Sequence, residues 1–289
     1  MAAEQIRSDR RTEKWLGPRR NDPNVGAGIA ILFSIPSRAA DSFISMPRYG
    51  QNEGMPEMHA MIFGHVTTQV TRCAALFSLA DHLARGPATA AEIAHAERLD
   101  PASTDRLMRA CAAFGLLALD ASGAYSATGL LATLRRDVPG SLRDMAIVQG
   151  GRGHWAPWGL LDEAVRAGRP QAAPSLGAGV WEYYATSEGT DEAVAFTRAM
   201  GAMSGPVASE AARIIDTRDV GFALDVGGAG GTLLQALMAA NPSLRGVVLD
   251  LPHVASDIGR PHGVPVIAGD FLEGVPAADL YLLKHVLHD

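Results

Sequence analysis

An α/β protein, with an all-helical N-terminal half that contains a winged-helix unit and a parallel α/β sheet after it, is the fold class this 289-residue sequence predicts. Three observations carry that expectation. Apolar residues recur at helical spacing through most of residues 58–216, then switch after Asp219 to short runs separated by helical or turn segments. Three helical patterns followed by a hairpin pattern, within residues 58–127, spell a winged helix. The stretch 224–232, LDVGGAGGT, hands an apolar run to a helix-forming segment through a glycine cluster built for close approach by a ligand.

Residues 1–55 mix Arg7, Arg10, Arg11, Arg19 and Arg20 with prolines and glycines and show no sustained period, which reads as a disordered extension or a start codon assigned too early, with no function of its own. The apolar run 28–35 is too short to span a bilayer. From residue 58 to 85 one long helix is expected, because Ile62, Val66, Val70, Leu76, Leu79 and Leu83 recur at helical spacing. Gly86 and Pro87 stop it, and Thr89 with Glu92 three residues later has the spacing of a capping box for a short helix. Residues 101–114 form the next helix, with Pro101 at its start and Gly115 at its end. Runs 116–119 and 124–127, separated by Asp120 to Gly123, read as the hairpin.

A winged helix raises the question of DNA. Residues 56–135 hold seven acids, six arginines and no lysine, and the helix over 101–114, which would be the recognition helix, offers only Asp105, Arg106 and Arg109. That is too little to neutralise the several phosphates on which DNA affinity rests, so a protein contact or dimerisation role fits better. The net charge of −6 likewise gives no electrostatic case for nucleic acid or an anionic membrane. Cys73 and Cys111 fall on apolar helix faces and read as packed thiols in a reducing compartment, with the cytoplasm as the expected location.

Residues 139–216 continue as helices. His154, Trp155 and Trp158 open an amphipathic segment through Ala167, and 177–184 holds Trp181, Tyr183 and Tyr184. In the helix 191–203, Phe196, Met200 and Met203 share one face, either as a core stripe or as the wall of a pocket for a flat apolar ligand. Beyond Asp219 the strand-like runs are 222–226, 246–249, 264–268 and 280–283, and their carboxyl ends carry the glycine cluster, Asp250, Asp270 and Lys284. Ligands of open α/β sheets bind at those ends. The glycines fail the dinucleotide fingerprint in both frames, and no Lys-Ser or Lys-Thr follows them as in a phosphate loop. What remains is a turn for close approach without a phosphate-grade anion site, and Asp250 about 20 residues on, placed to accept two ribose hydroxyls. The expected ligand is a nucleoside.

The motifs DVGGAGGTLL, VVLDLPHV, GDFLEGVP and DLYLLKHVLHD, with AFTRAM before them, resemble those of the metal-independent O-methyltransferases that act on small molecules with S-adenosylmethionine. This group contains the plant caffeate and flavonoid enzymes, acetylserotonin methyltransferase and many bacterial natural-product enzymes. The resemblance runs from about residue 61 to 289. It implies a winged-helix dimerisation domain over 56–135, a linker with substrate-pocket helices over 136–216, and an incomplete Rossmann-like S-adenosylmethionine-binding domain over 217–289. It also implies a homodimer and a small-molecule hydroxyl acceptor.

Carried over on matching positions, Asp225, Gly227, Gly228 and Gly231 form the cofactor turn, Asp250 and Leu251 the ribose side, and Asp270 and Phe271 the adenine side. Lys284 contacts the cofactor, His288 is the general base, and Phe196, Met200 and Met203 wall the acceptor. Ala229 departs from the family's more usual glycine, which is harmless unless the position needs a positive φ. Met203 stands where some plant relatives carry a polar residue, which implies a less polar pocket. His285 and His288 are i, i+3 neighbours with only Asp289 beside them, too few ligands for a metal site.

The chain stops at Asp289, inside the catalytic segment, whereas the family continues for several sheet elements. This reading expects a fragment of a longer product or a decayed protein, with His288 on a fraying turn and the edge of strand 280–283 uncovered. Three functions stay open: an O-methyltransferase by descent, a cofactor-binding or dimer-forming remnant without turnover, and a winged-helix regulator with a ligand-sensing half.

Overall fold

The computed structural model describes residues 28–31, 55–257 and 264–287. His288, Asp289 and the rest of the N-terminal 54 residues lie outside the described residues, as do the roles assigned to them above.

The region expected as one long helix is three: α1 (Met55–Ile62), α2 (Gly64–Leu76) and α3 (Leu79–Leu83). The chain leaves helical geometry at Phe63 and again at Ser78, which takes a left-handed conformation at φ 51°. Apolar spacing runs on across both breaks, so periodicity alone could not see them. The Ser78 break is held by a distant partner, since Arg136 donates to the Ser78 hydroxyl at 2.7 Å.

The winged-helix unit follows the local signals. Helix α4 (Ala90–Glu97) opens on a complete capping box, in which Thr89 Oγ1 accepts from the Glu92 N–H and the Glu92 carboxylate accepts from the Thr89 N–H. Helix α5 (Pro101–Ala113) starts with Asp100 accepting from Ser103 N at 2.7 Å. Strands β2 (Leu117–Leu119) and β3 (Tyr125–Ala127) pair antiparallel, and Asp120 Oδ1 ties the turn by accepting from Ser122 N and Ala124 N. Leu79, Met108, Cys111, Tyr125, Leu131 and Val148 are buried together at the centre of this half. Burial pushes the Cys111 thiol up to about 12, so it stays protonated. On α5, Arg109 is already paired with Asp105 at 2.7 Å.

A short helix α6 (Gly129–Ala132) leads to α7 (Arg143–Gln149), then to α8 (Arg152–Trp158), α9 (Leu161–Ala167), α10 (Ala172–Leu176) and α11 (Val180–Tyr184). The amphipathic segment expected to run unbroken to Ala167 therefore divides at Gly159 and Leu160. Helix α12 (Thr190–Ile214) extends well beyond residue 203 and carries Pro206 inside it. It packs on α7 at one end and on α13 (Thr232–Ala240) at the other, joining the two halves.

The sheet has five strands in the order β1 (Gly28–Ile31), β7 (Leu280–Leu283), β4 (Phe222–Val226), β5 (Arg245–Asp250) and β6 (Val266–Ala268), with every neighbouring pair parallel. Helix α14 (Pro252–Asp257) follows β5. Ala223, Leu224, Val248 and Leu282 are fully buried, as parallel strands covered on both faces must be. Two expectations are corrected by β1. Gly28–Ile31 belongs to a strand rather than a disordered extension, and it covers the edge of β7 that was expected to be open. The reason is physical: a parallel edge leaves a row of unpaired N–H and C=O groups, and a short apolar run is suited to satisfy them.

Candidate active site

At the end of β4 the backbone turns through three left-handed residues, Gly227 (φ 61°), Ala229 (φ 49°) and Gly231 (φ 71°), before α13 begins. The main chain crosses so close to Asp225 that a Cβ on Gly228 would lie 2.4 Å from the Asp225 carboxyl carbon. A Cβ on Gly227 would meet Val286 at 2.6 Å. Gly227 is therefore required by conformation and by contact, and Gly228 by contact alone. Ala229 is the exception: the position does adopt a positive φ, the condition under which its departure from glycine was expected to matter. Its N–H donates to Asp250 Oδ2 at 2.8 Å, which holds the strained residue in place. Left-handed geometry costs a non-glycine residue about 1–2 kcal/mol. Ala229→Gly is thus expected to raise the unfolding free energy by about 1 kcal/mol, measured by urea denaturation.

Asp250, at the end of β5, has both carboxylate oxygens engaged: Oδ2 by Ala229 N and Oδ1 by Leu251 N, each at 2.8 Å. Burial raises its pKa, opposed by those two N–H groups and by His253 nearby. Asp225 is wholly enclosed beneath the turn. Burial pushes its carboxyl up to about 7, with a backbone N–H of Leu234 and the Lys284 ammonium pulling down and the Asp250 charge pushing up. Burial lowers the pKa of Lys284, and the charge of Asp225 raises it. Past β6, Asp270 Oδ1 accepts from Leu272 N at 2.8 Å and orders the turn that carries Phe271.

These groups open into a cavity of about 600 Å³. Asp225, Gly227, Gly228, Asp250, Leu251, Asp270, Phe271 and Lys284 line one part of it, and Phe196 and Met200 line another. Gly231 is not on the wall; a Cβ there would press on Val248 and Val264, so it serves the packing of the turn. Met203, expected on the acceptor wall, is 43% exposed and lies off the cavity. With 3.6 residues per turn, the face of α12 that looks inward is centred on Thr197, Met200 and Ser204, and Met203 falls past its edge.

Sequence reasoning left Trp181 and Tyr184 without a role, yet both line the cavity beside Phe196. Trp181 meets the Phe196 ring edge-on with centroids 5.6 Å apart, and Tyr184 lies 5.7 Å from it. The crowding of aromatics in VWEYY was the available signal. Tyr184 is hydrogen bonded to His154 Nδ1 at 3.2 Å, and burial lowers the pKa of that imidazole. Glu192 fixes the start of α8 by accepting from Arg152 N and Gly153 N, both at 2.8 Å, and so holds His154 against Tyr184. His285 takes a left-handed φ of 59° after β7. Among the described residues no group of three or more metal-ligating side chains occurs, and no helix is long and apolar enough to cross a membrane.

A parallel sheet with a close-approach turn, an acid at the next strand end and an aromatic wall in the same cavity is the arrangement in which open α/β sheets hold small ligands. Residues 59–135 match the O-methyltransferase dimerisation domain and residues 158–289 the O-methyltransferase domain. The chain belongs to the O-methyltransferase family. It is 32% identical over 240 residues to the O-methyltransferase SfmM3 of Streptomyces lavendulae, covering 80% of this chain and 71% of that one. It is 33% identical to the O-demethylpuromycin-O-methyltransferase of Streptomyces alboniger over 79% of this chain, but the match spans only 63% of that relative's length. Among solved structures it resembles NcsB1, an O-methyltransferase from neocarzinostatin biosynthesis in complex with S-adenosylmethionine and 2-hydroxy-5-methyl naphthoic acid. The TM-score is 0.66 at 33% identity, over 77% of this chain and 70% of the other.

Proposed function

We propose that this chain binds S-adenosylmethionine at the carboxyl ends of β4, β5 and β6, and transfers its methyl group to a hydroxyl of a small aromatic or polyketide-like acceptor. The observation that carries the reading is one cavity that joins the glycine turn and Asp250 to the wall of Trp181, Tyr184, Phe196 and Met200. The donor set fits the cofactor: a contact-required glycine turn, an acid for ribose hydroxyls, and an acid with a phenyl ring on the adenine side. When bound, the cofactor supplies a methyl group already activated on a sulfonium sulfur. The protein then has three tasks: to exclude water, to align the acceptor oxygen with the methyl group, and to remove the hydroxyl proton. Alignment is worth about 7–11 kcal/mol, and a general base adds roughly 10²- to 10⁴-fold. By family resemblance the base is His288, and a neutral imidazole is suited to that task near pH 7.

The aromatic acceptor is supported by the ring cluster and by the naphthoic acid held in NcsB1. Homodimerisation is supported by the match to the dimerisation domain, and Met58, Met61, Ile62, Phe63 and Val66 are exposed apolar residues in and beside α1. Calorimetric titration with S-adenosylmethionine, followed by a methyl-transfer assay against phenolic acceptors, tests the proposal. A chain that does not bind the cofactor overturns it, and binding without transfer to any acceptor turns the reading toward a remnant without turnover. Phe196→Ala removes the ring that Trp181 and Tyr184 pack against. It is expected to weaken acceptor binding roughly fivefold, through about 1 kcal/mol of lost aromatic contact, with cofactor affinity unchanged.

A further inference from the structure

We infer that His253 is a further cofactor-binding residue, whose Nε2–H donates to the oxygen of a ribose hydroxyl that itself donates to Asp250. The inference rests on the cofactor reading above. His253 sits in the first turn of α14, three residues past Asp250, and lines the cavity together with Asp250, Leu251 and Pro252. Its Nε2 is buried and has no hydrogen-bond partner among the described residues. Native proteins leave few buried polar atoms unpaired, and a ligand in the cavity that His253 lines is a partner within the reach of its side chain.

The donor and acceptor inventory identifies that partner. A carboxylate only accepts, and each Asp250 oxygen already takes one backbone N–H, from Ala229 and from Leu251. Its remaining lone pairs can accept from hydroxyls, but a hydroxyl that donates to Asp250 still has an oxygen in need of a donor. The Leu251 N–H is spent on Asp250 itself. Lys284 and His285 follow β7, which lies on the other side of β4 from β5. His253 is the imidazole on the same strand end as Asp250, close enough for its charge to act on that carboxylate. Acid and imidazole together read a hydroxyl as donor and as acceptor at once, which a lone carboxylate cannot do.

The test uses the full chain and three ligands: S-adenosylhomocysteine and its 2′-deoxy and 3′-deoxy analogues. Calorimetry on His253→Ala and His253→Gln is expected to show roughly three- to tenfold weaker binding of S-adenosylhomocysteine. For one deoxy analogue that loss disappears, because the hydroxyl contacted by His253 is already gone. On the unmutated chain, the nitrogen-15 resonance of His253 Nε2 is expected to shift on addition of S-adenosylhomocysteine, a readout that survives even if a variant folds poorly. Unchanged affinity in both variants, an equal loss with all three ligands, or an unmoved resonance overturns the inference while leaving the cofactor reading intact. An unmutated chain that fails to bind S-adenosylhomocysteine overturns both.

Discussion

Asp225→Asn is expected to make the cofactor-free protein markedly more stable at pH 8 and to leave it nearly unchanged at pH 4. The Asp225 carboxyl is enclosed under the glycine turn, and burial, the largest of its influences, pushes its pKa from the ordinary 3.8 up to about 7. The folded state therefore holds a proton that the unfolded chain releases between about pH 4 and pH 7. Stability falls as pH rises through that window, and above it the buried charge costs up to ~4 kcal/mol, at 1.36 kcal/mol for each pKa unit. Asparagine keeps the shape and the hydrogen-bonding capacity without the charge. Lys284 loses a favourable neighbour in the exchange, which takes back part of the gain. Thermal melting of both chains from pH 4 to pH 8 checks the expectation: the midpoints should separate by several degrees at the alkaline end and converge at the acid end. Parallel curves would show that Asp225 does not carry the pH dependence.

The second large effect is expected for Asp250→Ala. That carboxylate anchors the left-handed Ala229 and the start of α14 through two backbone N–H groups, besides facing the cavity. Truncation leaves both donors unpaired, at about 1–3 kcal/mol each where they remain buried. It also removes the proposed ribose acceptor, so binding of S-adenosylhomocysteine should weaken at least about 100-fold, or roughly 3 kcal/mol. Asp250→Asn keeps one carbonyl acceptor and should fall between the parent and alanine. Calorimetry on the three chains orders them, and alanine binding as tightly as the parent would exclude Asp250 from the site.

Much of the architecture was legible because its signals are local. The capping box of Thr89 and Glu92, the Asp100 and Pro101 start, the Asp120 turn and the short apolar strands each depend on residues within a few positions of one another. The site was legible in part for the same reason: in a parallel sheet, functional groups at strand ends fall at regular intervals, so the glycine turn, Asp250, Asp270 and Lys284 stood out before their meeting was seen. Trp181, Tyr184 and His253 did not, because nothing near them in sequence says that they face one cavity.

What the sequence alone determined is the order of its elements, the family, and the set of chemical groups that end each strand. Tertiary structure decided the rest. It broke the first helix at Ser78 through a hydrogen bond from Arg136, 58 positions away. It laid Gly28–Ile31 along β7, turned Met203 off the wall and Ser204 onto it, and forced Ala229 into a left-handed conformation held by Asp250. Hydrophobic period and turn chemistry act over one or two turns of chain, whereas burial of a carboxylate, pairing of an edge strand and the facing of a side chain depend on partners that only folding brings together. The glycine turn shows both causes: its residue types announce close approach, and the need for it comes from Asp225, packed beneath the backbone and far from water.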